Sequence, residues 1–463
     1  MRIITLYSKG HVRTLLLCTS LIAQLAACSR DSTGVTPPPP PDAELRELIS
    51  RWGAIPILPN VNPSNPALAE LGRALFFDKI LSGNRDVSCA TCHSARSSFG
   101  DGLSLAVGTG GVALAAHREP GAGRQHVPRN APTLVNIGLG AFYLFWDGRL
   151  TEFGPRIAGP ASEAVPPGVT DVLVAQAMLP VVNRVEMRGD AGDQDVFGQP
   201  NELATYPDDQ PDEVRRAIMR RLLAIPAYVG MFNAAFPAVP ATALTYEHAA
   251  RALASFERSV LRRTTTPFDR YLARDNAALS AAAKRGARLF FGNEAQCASC
   301  HAGPLLGGTS FANVGAPQIG PGFGAAKPLD LGRGELFPGV DVYRFAFRAP
   351  PLRNVELTAP YMHSGAYPTL EAVVRHYSNV PKAVREYDVT QLHPSLRTSY
   401  HGDAATIDAL LRTLDFRMRS PLNLTPEEQS DLVEFLKSLT DPAARDLSSV
   451  IPAAVPSGLP IER

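Results

Sequence analysis

Apolar residues recur three and four places apart in five stretches of the chain, and each stretch predicts an amphipathic helix. Four of them cover residues 42–52, 212–225, 245–262 and 280–291, and the fifth follows Thr425. The fifth carries the fullest local signals. Thr425 can cap it, Pro426 suits its first turn, and Glu428 completes a capping box ahead of a stripe of Leu432, Phe435, Leu436 and Leu439. Two glycine- and proline-rich stretches, 100–132 and 303–351, predict long loops, which in a compact domain usually carry function. The pattern as a whole predicts a mainly α fold with long loops.

Length adds a division. A chain of 463 residues exceeds what one hydrophobic core usually holds. Two domains are expected, 42–250 and 251–463, joined by one long helix in the region 240–267. Hydrophobic residues at 45% and charged residues at 19% fit a folded globular protein, and 41 prolines with 37 glycines fit long connections rather than a sheet-rich scaffold. A formal net charge of +1 without long runs of one sign argues against a nucleic-acid groove or a polybasic membrane surface.

The first 27 residues read as an export signal. Arg2, Lys9 and Arg13 precede an apolar stretch from Leu15 to Ala27, which is too short to span a bilayer as a mature helix. Leu25-Ala26-Ala27-Cys28 resembles a bacterial lipobox, which implies cleavage before Cys28 and lipid attachment to it. Ser29 stands where an inner-membrane retention signal would show Asp, which favours anchoring in the outer membrane. Residues 28–41, ending in Pro37 to Pro41, read as a stiff, extended tether. The expected location is the periplasm, with membrane contact through the lipid alone.

Cysteine usage is the sharpest signal. Of six cysteines, Cys18 leaves with the signal and Cys28 takes lipid. The remaining four form two C-x-x-C pairs, Cys89 with Cys92 and Cys297 with Cys300, each followed at once by histidine, His93 and His301. C-x-x-C-H reads as c-type haem attachment. Two thiols add to the two vinyl groups of one porphyrin, and the adjacent imidazole ligates the iron from one face. Zinc is a rival, but the pairs lie too far apart in the chain for one usual zinc module. A redox dithiol explains neither the histidines nor the duplication. Two covalent haems c are therefore expected. Each motif also follows a matching lead-in, Gly72-x-x-Leu75-Phe76-Phe77 and Gly286-x-x-Leu289-Phe290-Phe291, so a haem-binding unit is repeated within the chain.

Around these motifs the chain resembles the bacterial di-haem cytochrome c peroxidase and MauG family. The matching strings are Arg129-Asn130-Ala131-Pro132-Thr133, Phe145-Trp146-Asp147-Gly148-Arg149, and Leu352-Arg353-Asn354-Val355 through Thr358-Ala359-Pro360-Tyr361-Met362-His363. The resemblance covers nearly everything after about Ala67 and implies two cytochrome c-like haem domains with a calcium between them. It places the calcium contacts at the Asn130 side chain and the carbonyls of Thr358 and Pro360, oxygen donors of the kind a hard cation requires. It also places Trp146 between the haems, as an indole route for electron transfer.

The family's distal pocket has Gln, then Pro, then Glu at a spacing that Gln176, Pro180 and Glu186 reproduce. The chemistry suits hydrogen peroxide, whose near oxygen must pass a proton to its far oxygen as the bond breaks. A carboxylate can carry out both transfers and an amide can orient it. A long insertion between Arg149 and Gln176, where the family has a short link, is expected to reshape the edge of this pocket. Two departures favour the MauG side. Where the peroxidase branch has a blocking histidine this chain has Thr109, with His117 and His126 read as loop residues. Where that branch supplies Met to the second haem, counting on from His363 arrives at Tyr377, with Met362 as the rival ligand.

The resulting expectation is an oxidoreductase that reduces hydrogen peroxide with electrons from a small periplasmic cytochrome c or cupredoxin. A MauG-like oxidase acting on aromatic residues of a partner protein, and a non-catalytic di-haem electron carrier, are the alternatives. A homodimer is left open.

Overall fold

The computed structural model describes residues 38–57, 65–140, 142–154 and 156–462. The export signal, Cys28 and Pro37 lie outside the described residues. The helices, in chain order, are α1 (Asp42–Ser50), α2 (Pro66–Phe77), α3 (Cys89–Cys92), α4 (Val172–Ala177), α5 (Pro211–Leu223), α6 (Pro226–Ala235), α7 (Tyr246–Val260), α8 (Pro267–Leu272), α9 (Ala281–Phe291), α10 (Leu370–Ser378), α11 (Val380–Arg385), α12 (Ala404–Arg412) and α13 (Pro426–Lys437). The fold is mainly α. All five helices anticipated from apolar spacing are present, with ends displaced by no more than about two residues. The α13 capping box forms as the sequence implies: Thr425 Oγ1 accepts from Glu428 N at 3.2 Å, and Thr425 N donates to Glu428 Oε2 at 2.9 Å. Among the described residues no helix is long and apolar enough to cross a membrane.

Two helix pairs, each built on the repeated glycine motif, organise two cores. Glycine is required in each pair because the partner helix lies on top of it. A Cβ at Gly72 would sit 1.9 Å from the Ala252 carbonyl oxygen, and a Cβ at Gly286 would sit 1.9 Å from that of Asp431. The phenylalanines after each glycine then meet an aromatic ring on the partner. Phe76 lies 5.1 Å from Phe256 and Phe290 lies 5.0 Å from Phe435, centroid to centroid. The first core gathers α2, α4, α5, α6 and α7, with Cys89 packed against it. The second gathers α8, α9 and α13, with Cys297 packed against it. One local structure is thus used twice.

The termini cross between these cores. Helix α1, grouped by sequence order with the first half, buries Leu45 and Ile49 in the second core, and the following Trp52 donates Nε1 to the Phe291 carbonyl at 2.8 Å. The C-terminal tail returns to the first core through Leu447, Val450, Val455 and Leu459. Ser457 Oγ donates to Asp78 at 2.6 Å, and Lys79 pairs with Glu462 at 3.0 Å. From Pro38 onward the chain forms one compact unit.

The strands are short. Gly111–Val112 (β1) pairs with Glu119–Pro120 (β2). Tyr143–Leu144 (β3), Leu150–Phe153 (β4) and Arg156–Ala158 (β5) form an antiparallel sheet, and Phe311–Ala312 (β6) pairs with Phe347–Arg348 (β7). The β3–β5 sheet builds the start of the insertion that follows Arg149. Its hairpin register sets Thr151 opposite Ala158.

Candidate active site

Each C-x-x-C-H motif is a tight turn that frees its cysteines and fixes its histidine. Ser88 and Thr91 cap α3 reciprocally, and the His93 backbone N–H donates to Cys89 O at 2.9 Å. The His93 ring then meets the Phe99 carbonyl through Nδ1 at 3.1 Å, and His301 meets the Leu306 carbonyl through Nδ1 at the same distance. A carbonyl accepts, so Nδ1 carries the proton and Nε2 keeps its lone pair in both rings. Burial pushes the Cys89 and Cys297 thiols up to about 12, and burial lowers the pKa of both histidines. The four cysteines are unpaired. Two protonated thiols beside a neutral, pre-oriented imidazole suit covalent haem attachment with axial ligation. Among the described residues no three or more His, Cys, Asp or Glu side chains converge to hold a metal ion, so the zinc reading finds no further ligands.

A cavity of about 310 Å³ opens over the first motif and is lined largely by apolar groups. Cys89, Cys92 and His93 share its wall with Trp146, Gln176, Pro180 and Glu186, and with Asn130, Thr358 and Pro360. The residues expected to act together at the first site are therefore brought together. Cys297, Cys300, His301 and Tyr377 do not line it. They form a second locality, where Tyr377 packs against the cluster of Phe345, Val380, Val384 and Leu410. Burial raises the Tyr377 pKa, and the charges of Cys300 and Cys297 raise it further, which places the phenol near the second motif. Met362, by contrast, lines the first cavity.

Glu186 stands in a five-residue turn, Arg184–Arg188, that is clamped from three sides. Asn183 caps it, its Oδ1 accepting from Val185 N and Glu186 N while its Nδ2 donates to Glu186 Oε1 at 3.0 Å. The Thr109 N–H donates to the Glu186 carbonyl at 3.0 Å, and the Gly83 N–H donates to that of Met187 at 2.7 Å. Gly108 has no room for a Cβ, which would lie 2.0 Å from the Val185 carbonyl oxygen. Asp86 holds this loop by accepting from Thr109 Oγ1 at 2.8 Å and Gly110 N at 2.6 Å. Glu186 is half-buried on the cavity wall; desolvation raises its pKa, while the positive charge of Arg149 pulls it back down. A carboxyl moved toward neutrality can take and return a proton.

Asn183 was missed as a functional residue. The amide oriented onto Glu186 is that of Asn183, and among the described residues the side chain of Gln176 makes no hydrogen bond to Glu186. The sequence signal was available, since an Asn three places before an acid is a helix-cap pattern. Arg149 and two further acids on the cavity wall, Asp101 and Glu257, were also missed.

Trp146 is 9% exposed, with Nε1 donating to the Asn130 carbonyl at 2.9 Å and its own carbonyl accepting from Arg348 N at 2.7 Å. The Asn130 side chain donates Nδ2 to Leu103 O at 2.6 Å, which leaves its Oδ1 as the free acceptor. Among the described residues the carbonyls of Thr358 and Pro360 accept no hydrogen bond. Three uncommitted neutral oxygens on one cavity fit a hard cation. Thr109 is 3% exposed and committed to Asp86, and neither His117 nor His126 lines the cavity.

Known proteins carry the same features. The family model described as di-haem cytochrome c peroxidase matches residues 66–277. The methylamine utilization protein MauG of Methylorubrum extorquens is 31% identical, over 87% of this chain and 86% of its own length. The chain belongs to the bacterial di-haem cytochrome c peroxidase and MauG family. Cytochrome c551 peroxidase of Pseudomonas aeruginosa is 32% identical over 65% of this chain and 69% of its own length. A solved MauG-like protein associated with microbial copper homeostasis superposes with a TM-score of 0.59 at 26% identity, covering 87% of this chain and 97% of that one. As a member of the di-haem peroxidase and MauG family, the chain is an oxidoreductase, and its two C-x-x-C-H turns have the spacing typical of that family.

Proposed function

We propose that the protein reduces hydrogen peroxide at its first C-x-x-C-H site, with electrons delivered by a small periplasmic cytochrome c or cupredoxin. One observation carries this reading: a clamped carboxyl, Glu186, shares a cavity with Cys89, Cys92 and His93, while the residues of the second motif do not line it. The residues fit a haem at each motif, with thiols for attachment and an imidazole whose Nε2 is uncommitted. Cys89, Cys92 and His93, and Cys297, Cys300 and His301, would each hold one haem c, which would supply the iron-based redox chemistry when bound. Glu186 takes the proton of the near peroxide oxygen and returns it to the far oxygen. With two electrons and two protons overall, two waters leave. Asn183 holds the carboxyl in place, and Gln176 and Pro180 shape the wall through which peroxide enters. Tyr377 would hold the iron of the second haem beside His301, where a phenolate donor would favour the oxidised state. Trp146 offers the indole route between the two sites. Asn130 Oδ1 and the carbonyls of Thr358 and Pro360 hold calcium.

The wider reading is of two cytochrome c-like haem domains carried on a proline-rich tether, lipid-anchored at Cys28 in the periplasm. A second substrate reading is supported by Thr109. Where a blocking histidine would stand there is a buried threonine bound to Asp86, which supports a first site that would be open without prior reduction. That property and Tyr377 suit a MauG-like oxidase acting on aromatic side chains of a partner protein.

The test is Glu186→Gln in holoprotein carrying both haems. Peroxide turnover with a reduced small cytochrome c is expected to fall about 10²- to 10⁴-fold, the usual contribution of a positioned proton-transfer group. Undiminished turnover at full haem content would remove the assignment.

A further inference from the structure

The calcium reading leaves a charge unbalanced. Asn130 Oδ1 and the two carbonyls of Thr358 and Pro360 are all neutral, yet the binding strength of a calcium site follows the number of charged oxygens it offers. The same cavity wall holds Asp101, which is 3% exposed. Its Oδ1 accepts from the Leu103 N–H at 2.9 Å, its Oδ2 is buried without a hydrogen-bond partner, and among the described residues it makes no ion pair. Leaving a buried carboxyl oxygen unfilled is costly.

Three segments are tied together here. The Leu103 N–H holds Asp101 while the Leu103 carbonyl holds the Asn130 amide at 2.6 Å. The Asn130 N–H donates to the His363 carbonyl at 2.7 Å, and Ser104 Oγ donates to the Gly365 carbonyl at 2.9 Å. The 101–104 segment, Asn130 and the turn of His363 and Gly365 therefore form one bonded group, and Thr358 and Pro360, a few residues before that turn, line the same cavity as Asp101 and Asn130.

We infer that Asp101 Oδ2 is the anionic ligand of this calcium site, supplying the charge that its three neutral oxygens lack. The inference rests on the calcium reading above.

The experiment is calorimetric titration of chelator-stripped holoprotein with calcium chloride, using wild type, Asn130→Ala and Asp101→Asn. Asp101→Asn keeps the shape of the side chain and an acceptor for the Leu103 N–H. Wild type is expected to bind one calcium, and Asp101→Asn to bind it about 10- to 100-fold more weakly. If Asn130→Ala abolishes binding while Asp101→Asn stays within about twofold of wild type, Asp101 is not a ligand and the calcium reading survives. If wild type binds no calcium, or Asn130→Ala binds as wild type does, the calcium reading fails and the inference fails with it. Should Asp101→Asn not fold, infrared difference spectra of wild type with and without calcium decide: a shifted carboxylate stretch is expected, and its absence would overturn the assignment.

Discussion

Glu186 and Glu257 line the same cavity, yet their surroundings divide them. Glu186 has the Asn183 amide and the charge of Arg149, whereas Glu257 is 5% exposed and its Oε2 has no partner. Burial pushes Glu257 up to about 8, against an ordinary glutamate value of about 4.3, so the folded protein keeps a proton there that the unfolded chain releases. Its contribution to stability is complete below the ordinary value and is lost as pH rises through about 8. Glu257→Gln cannot ionise. The variant is expected to lose less stability than wild type between about pH 5 and pH 8, with a melting temperature that gains on wild type toward the alkaline end. Parallel melting curves across that range would show that Glu257 does not carry this dependence. Nothing in the sequence marked the residue, because an acid in an amphipathic helix reads as part of the solvated face until the cavity beside it is known.

At the scale of elements, the repeated Gly-x-x-Leu-Phe-Phe motif explains why one sequence pattern occurs twice. It was legible because it acts locally: the glycine admits a crossing helix and the phenylalanines fill the crossing, whatever else the chain does. Caps were legible for the same reason, Thr425 with Glu428 among them. The β3–β5 sheet was not, since its three strands are too short to show alternation and their pairing depends on contacts outside them. Gly72→Ala and Gly286→Ala are each expected to destabilise by about 1–3 kcal/mol or more, because the new methyl meets a backbone carbonyl that cannot rotate away. Gly230, within α6, has open space where its Cβ would lie, and Gly230→Ala is expected to stabilise by about 0.5–1 kcal/mol. Denaturant unfolding of the three variants checks the contrast. Equal effects at Gly72 and Gly230 would mean that helix propensity, not the crossing, sets the requirement for glycine.

At the scale of the whole molecule, sequence order misleads because the ends exchange partners: α1 completes the second core and the C-terminal tail completes the first. A hydrophobic stripe announces that it will be buried but not against which partner. A buried charge cluster also ties the halves. Arg129 pairs with Asp147 at 2.6 Å and with Asp330 at 2.6 Å, all three are buried, and Arg129 also stacks over the Phe323 ring at 4.3 Å. Burial alone would raise the Asp330 pKa, but the guanidinium holds it below the ordinary carboxylate value. Replacing Arg129 by Met keeps much of the volume and leaves two buried carboxylates facing each other's segments, at an expected cost of about 3–5 kcal/mol near neutral pH. Asp330→Ala is expected to cost less, since Arg129 retains Asp147. Because the Asp330 pKa is depressed, its contribution is present above the ordinary value of about 3.9 and is lost as pH falls below it, so the Arg129→Met deficit should narrow on acidification. Denaturant unfolding at neutral and acid pH measures both effects, and a deficit that is unchanged in acid would place the Arg129 contribution in packing against Phe323 rather than in charge.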